Sequence, residues 1–133
     1  MRYLLDTNIL SAMVRSPRGP VAEQVRRVGE TEIYTSIVVA AELRYGALRK
    51  GSDRLTRQVE AVLGAVSIEP WRVPYDAIYA NLRLGLERAG TPIGANDLLI
   101  ATQALADGSV LVTDNTREFA RISGLAIENW VRP

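Results

Sequence analysis

Short apolar runs alternate with longer segments of helical spacing along the whole chain. Tyr3–Leu5 and Val110–Val112 are the clearest runs, and neither alternates between apolar and polar positions. Strands that are apolar on both faces are typical of a parallel sheet covered by helices on both sides. The alternation therefore predicts an α/β fold, with a central parallel β-sheet flanked by helices on both faces.

The pattern divides the chain into five strands and seven helices. We place the helix stops at glycines, the helix starts at Ser, Thr or Asn caps, and the first helix after a cap at Thr7 or Asn8. The length of 133 residues fits one domain, residues 1–133. The predicted strands cover 3–5, 33–35, 66–68, 110–112 and 126–130, and the predicted helices cover 9–14, 21–28, 37–50, 53–63, 75–89, 95–106 and 116–121.

The chain contains no histidine and no cysteine. This absence excludes histidine-based triads, cysteine nucleophiles, thiolate or imidazole zinc sites and disulfides. Carboxylates, hydroxyls, amides, lysine and arginine remain for site chemistry. Clusters of carboxylates select hard cations such as Mg²⁺ or Mn²⁺.

The charges are nearly balanced, with 16 basic and 15 acidic residues. Such a balance creates no overall field towards nucleic acid, so any RNA or DNA would bind through a local patch. The first apolar run is interrupted by Asp6 and has no cleavage-like end, and no uncharged stretch reaches the roughly 18 residues of a membrane helix. We expect a cytoplasmic protein that does not enter a membrane.

Acidic residues stand at the ends of predicted strands and at helix starts. Asp6 ends the first strand, and Asp114 and Asn115 end the fourth. Ligands of open parallel sheets bind beyond the carboxyl ends of the strands, so these residues are expected at one edge. Asp97 opens the helix before the fourth strand, and Glu42 is a lone charge on an otherwise apolar helix start.

Each acid also has a simpler interpretation, as a first-turn helix acid, a turn residue or a surface ion-pair partner. Asp6 fits these interpretations least, because a charge at the tip of a buried strand is costly unless it is paired. Carboxylates gathered at one edge would repel one another, and a divalent cation would offset that repulsion. Hydroxyls and amides suited to holding the carboxylates and metal-bound waters are those of Thr7, Asn8, Asn96, Thr113 and Asn115.

Four motifs, in this order and at this spacing, resemble the PIN-domain ribonucleases, most closely the VapC-type toxins of bacterial toxin–antitoxin pairs. The resemblance covers nearly the whole chain. It implies a compact α/β PIN-domain fold, a Mg²⁺ or Mn²⁺ site and endonucleolytic cleavage of RNA. The motifs are Leu5-Asp6-Thr7-Asn8, Ala41-Glu42-Leu43 followed by Tyr45-Gly46, the segment 93–101 around Asn96-Asp97, and the segment 111–119 around Thr113-Asp114-Asn115.

The resemblance implies that Asp6, Glu42 and Asp97 form the acidic core of the site. The fourth acidic position is ambiguous, because many family members carry an aspartate where this chain has Asn115, and Asp114 lies one residue earlier. We expect Asp6 and Asp97 to hold the metal directly or through water. We expect Glu42 to orient or deprotonate the attacking water, with Asp114 as a fourth catalytic acid. We expect one firmly held metal, and a second only when RNA phosphate contributes ligands.

Partners follow from the same resemblance. VapC-like toxins are usually homodimers, and a small VapB-like antitoxin holds them inactive in a larger assembly. The expected antitoxin groove includes Ile9, Leu10, Met13, Ile37 and Leu48. Positive charge near the acidic edge would bind RNA phosphates, and Arg117 is our first choice among six candidates that also include Arg15, Arg18, Arg44, Arg49 and Lys50.

Two other functions fit the sequence less well. A haloacid-dehalogenase-type phosphatase needs a second aspartate where this chain has Asn8, and its single lysine, Lys50, is misplaced for that chemistry. A catalytically degenerate PIN fold could act as an RNA-binding or assembly module. The retention of three core acids argues against such degeneration. The RNA target, transfer, ribosomal or messenger, stays open at this point.

Overall fold

A computed structural model describes residues 1–132 as five strands, seven α-helices and one short 3-10 helix. The alternation of strands and helices agrees with the prediction. The strands are β1 (Tyr3–Leu5), β2 (Ile33–Ser36), β3 (Ser67–Glu69), β4 (Val110–Val112) and β5 (Ala126–Glu128). The helices are α1 (Thr7–Arg15), α2 (Pro20–Val28), α3 (Ile37–Lys50), α4 (Asp53–Gly64), α5 (Tyr75–Arg88), α6 (Ala95–Asp107) and α7 (Thr116–Phe119), and the 3-10 helix is Glu30–Glu32.

All five strands are parallel and lie in the order β3-β2-β1-β4-β5. The chain builds outward from β1 to β2 and β3, and then returns to the other side of β1 for β4 and β5. This reversal places a topological switch point between β1 and β4, where Leu5 pairs with Val112. In open α/β sheets the crevice beyond the carboxyl ends at such a point is where ligands bind.

The central strands are covered on both faces. Leu4 and Leu5 point to opposite faces of the sheet, and neither is exposed to solvent. Leu111 and Val112 of β4 are buried in the same way. Each such side chain contributes about 1.5–3 kcal/mol by leaving water, so the middle of the sheet is the stable base for residues at its edge.

Capping residues and glycines set the helix ends as predicted, except at the start of α1. Ser36 caps α3 by accepting the Val38 N–H at 3.0 Å, and Gly51 ends that helix in a left-handed conformation. The first helix begins two residues before the predicted start. Its cap is Asp6 rather than Thr7 or Asn8, because Asp6 has extended backbone angles and its carboxylate accepts the Thr7 N–H at 2.8 Å.

The C-terminal part differs from the predicted boundaries. Helix α7 ends at Phe119 and strand β5 ends at Glu128, both earlier than predicted. Trp130 is not in the strand. It is buried and packs against Tyr3, with ring centroids 5.3 Å apart. Within residues 1–132, no helix is long and apolar enough to cross a membrane.

Candidate active site

Asp6 lies at the carboxyl end of β1 with only 3% of its surface exposed. Its Oδ1 accepts the Thr7 N–H at 2.8 Å, and its Oδ2 accepts the Thr113 hydroxyl at 2.8 Å and the Asn8 amide at 3.3 Å. Burial raises the pKa of Asp6, while the hydrogen bonds from Thr113 and Thr7 oppose that rise. A buried carboxylate with three donors is held in one orientation.

Glu42 reaches the same edge from the second turn of α3. Its Oε1 accepts the Thr7 hydroxyl at 2.6 Å, and its Oε2 accepts the Asn96 amide at 3.1 Å. These two bonds join α1, α3 and α6. The lone acid on an apolar helix start therefore points to the Asp6 region rather than into a surface ion pair, and the basic neighbour Arg44 is paired with Glu60 instead.

Asp97 is half-buried in the first turn of α6. Burial is the first cause that raises its pKa, to about 7, and the negative charge of Asp6 is the second. The charge of Glu118, a hydrogen bond with Glu118 and the charge of Glu42 add to the effect. Asp97 therefore lies within the field of three other carboxylates, Asp6, Glu118 and Glu42.

Glu118, on α7, completes this group and was not among the predicted site residues. Its Oε1 accepts the Gly94 N–H at 3.0 Å, and its Oε2 accepts the Asn115 amide at 3.0 Å. Burial raises the pKa of Glu118, but the hydrogen bonds from Gly94, Asn115 and Asp97 outweigh burial and leave it lowered. The hydrogen bond between the two carboxyl groups thus raises the pKa of Asp97 and lowers that of Glu118.

The sequence contained a signal for Glu118. Asn115 is the N-cap residue of α7, and Glu118 lies three residues after it. This is the spacing between the cap residue and the glutamate of a capping box. This spacing places the glutamate back over the end of β4. In the motif 111–119, the prediction favours Asp114 and Asn115 because they lie closest to the end of the strand among its acidic and amide residues.

Asp114 turns away from this group. Its carboxylate accepts the Asn129 amide at 3.0 Å and lies 3.3 Å from the Arg132 guanidinium, both near the C-terminus. Its backbone N–H donates to Asn8 Oδ1 at 2.9 Å. The structure thus brings together Asp6, Glu42 and Asp97 of the four predicted acids.

The five predicted supporting residues all bond within the site. Thr113 donates to Asp6 and accepts the Asn115 N–H at 3.0 Å, and Asn8 bridges Asp6 and the Asp114 backbone. Arg117 is exposed on α7 and forms no salt bridge within residues 1–132. Its side chain is free to meet a ligand that approaches this edge.

The donor set consists of oxygen alone, which fits a hard divalent cation and no softer metal. In the part of the chain that the structure describes, no three acidic side chains are arranged to hold one metal ion by themselves. Mg²⁺ is commonly bound through one or two carboxylates, with water and substrate phosphate as the remaining ligands. The negative charges of Asp6, Glu118 and Glu42 contribute to the raised pKa of Asp97, and such a cation would offset them.

Fold and site together define an open parallel α/β protein with an acidic site at its switch point. The sequence profile of the PIN domain matches residues 3–125, so the chain belongs to the PIN domain family. Ribonuclease VapC2 of Rickettsia felis is 36% identical over 132 residues, which cover 98% of both chains. The tRNA(fMet)-specific endonuclease VapC of Shigella flexneri is 32% identical over 135 residues, again covering 98% of both.

A solved structure agrees with this assignment. The crystal structure of VapBC2 from Rickettsia felis, bound to a DNA fragment from their promoter, contains a chain that superimposes with a TM-score of 0.91. The two chains are 34% identical, and the match covers 98% of this chain and 99% of that one. The predicted family and fold class are therefore confirmed.

Proposed function

We propose that this protein is a metal-dependent endoribonuclease, the toxin of a VapBC-type toxin–antitoxin module. The observation that carries the proposal is the meeting of Asp6, Glu42, Asp97 and Glu118 at the carboxyl end of the central strands. Relatives that match this chain over nearly its full length are named ribonucleases or endonucleases, which supports RNA as the substrate.

We infer that Asp6 and Asp97 would hold Mg²⁺ or Mn²⁺, with Glu118 in place of Asp114 as the fourth acid. When bound, such a cation activates water and stabilises the leaving oxygen of a phosphodiester. Asp6 is fixed by three donors, and Asp97 lies beside it in the first turn of α6, where the negative charge of Asp6 raises the pKa of Asp97. A bound cation would offset the repulsion that the neighbouring carboxylates exert on Asp97.

Glu42 is the residue we assign to the attacking water. Its two hydrogen bonds, from Thr7 and Asn96, hold the carboxylate at the mouth of the site and leave further lone pairs free. A carboxylate in this position orients water for in-line attack on phosphorus and accepts its proton. Asn96 is exposed, so its amide could also contact the RNA substrate.

The partners follow from the relatives. We propose that a VapB-like antitoxin binds this chain and that the chain forms homodimers, as parts of a larger assembly. The prediction that Ile9 and Leu10 line the antitoxin groove is wrong, because both side chains are completely buried in the core. Met13 is partly buried against the core and stays a prediction. Ile37 and Leu48 also remain, since they are 45% and 72% exposed on one face of α3 together with Tyr45.

The test is RNA cleavage by the wild type and by Asp6→Asn, each with Mg²⁺ added. Asparagine keeps an oxygen for the helix cap, whereas Asp6→Ala would also lose the cap and about 1 kcal/mol of stability. The proposal requires metal-dependent cleavage that Asp6→Asn loses. The same activity in wild type and in folded Asp6→Asn would contradict it. Because the Shigella relative is named for tRNA(fMet), that RNA is the first to assay.

Calorimetry with Mn²⁺ distinguishes the enzyme from the degenerate RNA-binding module. The enzyme requires Mn²⁺ binding that weakens in Asp97→Asn, because one of the two proposed ligands is lost. A protein that binds RNA but no Mn²⁺ would be the module instead. The antitoxin proposal is tested separately, by measuring the mass of the complex formed with the protein encoded immediately upstream.

A further inference from the structure

A groove of about 310 Å³ lies between α1, α3 and α4. Thr7 and Glu42 line one end of it, and both belong to the candidate active site. Arg15 and Lys50 line the other end. The volume is at the lower end of the range of about 300–1,000 Å³ for ligand sites. Because Thr7 and Glu42 belong to both, the groove is continuous with the candidate active site.

The two cations occupy equivalent places. Arg15 is eight residues beyond Thr7 on α1, and Lys50 is eight residues beyond Glu42 on α3. Eight residues of α-helix rise about 12 Å. Both basic residues therefore lie at a similar distance from the acidic end, a distance that an extended RNA strand covers in a few nucleotides.

Neither cation is neutralised by the protein. Arg15 and Lys50 are exposed and form no salt bridge within residues 1–132, whereas nearby Arg44 is held by Glu60. The floor between the two ends is apolar and includes Val59. Free cations in a groove that begins at Glu42, the residue proposed to orient the attacking water, match the phosphates of a nucleic acid strand whose scissile bond lies at the active site.

We propose that this groove binds the single-stranded RNA that flanks the scissile phosphate, with Arg15 and Lys50 on its backbone. The proposal rests on the ribonuclease function proposed above and adds the path of the substrate. Phosphate contacts position a strand and carry no sequence information, so these two residues contribute affinity and register. Base preference would come from other residues.

Both cations also lie in the last turn of a helix, where a positive charge stabilises the helix dipole. The control variant must therefore lose the same kind of charge. Arg27 and Arg88 are exposed, lie in the last turns of α2 and α5, form no salt bridge in the described chain and do not line the groove. The double variants to compare are R15Q/K50Q and R27Q/R88Q.

The experiment measures the affinity for a short fluorescein-labelled single-stranded RNA by fluorescence anisotropy over a range of salt concentrations. Ca²⁺ replaces Mg²⁺ and intact RNA is verified on a gel. Each phosphate contact on a single strand contributes a slope of about −0.7 in log K against log salt. For R15Q/K50Q the slope should be less negative by about 1.4, and the RNA should bind several-fold more weakly. R27Q/R88Q should match the wild type. Melting temperatures verify that both variants fold.

Equal affinity and slope in the two double variants would overturn the groove assignment while leaving the nuclease proposal intact, provided the wild type cleaves RNA. A wild type that neither binds nor cleaves RNA would instead remove the proposed function itself. If R15Q/K50Q binds RNA normally but no longer binds the upstream-encoded partner, the groove belongs to that protein, and the RNA assignment is wrong.

Discussion

The Thr113 hydroxyl donates to Asp6 Oδ2 at 2.8 Å, across the junction of β1 and β4 and 107 positions apart in the chain. Both residues are almost completely buried. The bond forms because Asp6 and Thr113 each directly follow a strand, and the two strands are neighbours in parallel register. A buried carboxylate of the site is thus oriented by the sheet itself.

Thr113→Val should weaken both stability and activity. Valine has nearly the shape of threonine, but it leaves Asp6 Oδ2 with only the long Asn8 bond and leaves the Asn115 N–H without its acceptor. Such a loss costs about 1–3 kcal/mol of unfolding free energy. Loss of an orienting partner lowers activity about 10–100-fold. Urea unfolding and RNA cleavage measure the two effects, and Thr113→Ser should preserve most of both.

Glu118→Gln and Asp114→Asn distinguish the two candidates for the fourth acid. We expect Glu118→Gln to lower Mn²⁺ affinity or RNA cleavage about 10–100-fold, because it removes charge beside Asp97. Asp114→Asn should leave cleavage almost unchanged, because that carboxylate contacts Asn129 and Arg132. The reverse ranking of the two variants would restore Asp114 to the fourth position.

The stability of the metal-free protein should depend on Asp97 between about pH 4 and pH 7. The pKa of Asp97 is raised from 3.8 to about 7, so the folded protein retains a proton that the unfolded chain releases. This contribution to stability is fully present below pH 3.8, decreases as the pH rises and is lost above pH 7.

Asp97→Asn isolates this contribution, since Asp6 and Glu118 titrate in both proteins. In urea unfolding with a chelator present, the wild type should lose stability relative to Asp97→Asn as the pH rises through that window. A difference between the two proteins that is constant from pH 4 to pH 8 would show that Asp97 titrates normally.

Leu48→Asp should disrupt the antitoxin complex. Leu48 is 72% exposed and shares one face of α3 with Ile37 and Tyr45, so a charge there would be buried without a partner on binding. The affinity for the antitoxin, measured by calorimetry, should fall at least tenfold while the melting temperature stays unchanged. Val73→Asp is the matched control, because Val73 is 83% exposed and lies outside α3. Equal affinities of the two variants would place the antitoxin elsewhere.

The local sequence was sufficient for the fold class and for most of the site. Continuous apolar runs such as Val110–Val112 predict strands that are covered on both faces, and this is what the buried β4 shows. Asp6 and Glu42 were identified because each is a charged residue at a position where folding requires none. The absence of histidine and cysteine restricted the chemistry to oxygen ligands and a hard metal, whatever the exact positions.

Only the tertiary structure decided which side chains meet. Asp114 is only two residues beyond β4 and is the better placed acid in the sequence, yet its carboxylate turns to Asn129 and Arg132, and Glu118 reaches Asp97 from α7. The direction of a side chain just beyond a strand depends on one or two backbone angles and on partners distant in sequence. A sequence pattern specifies the period of a helix or strand, whereas these long-range contacts exist only after the strands have paired.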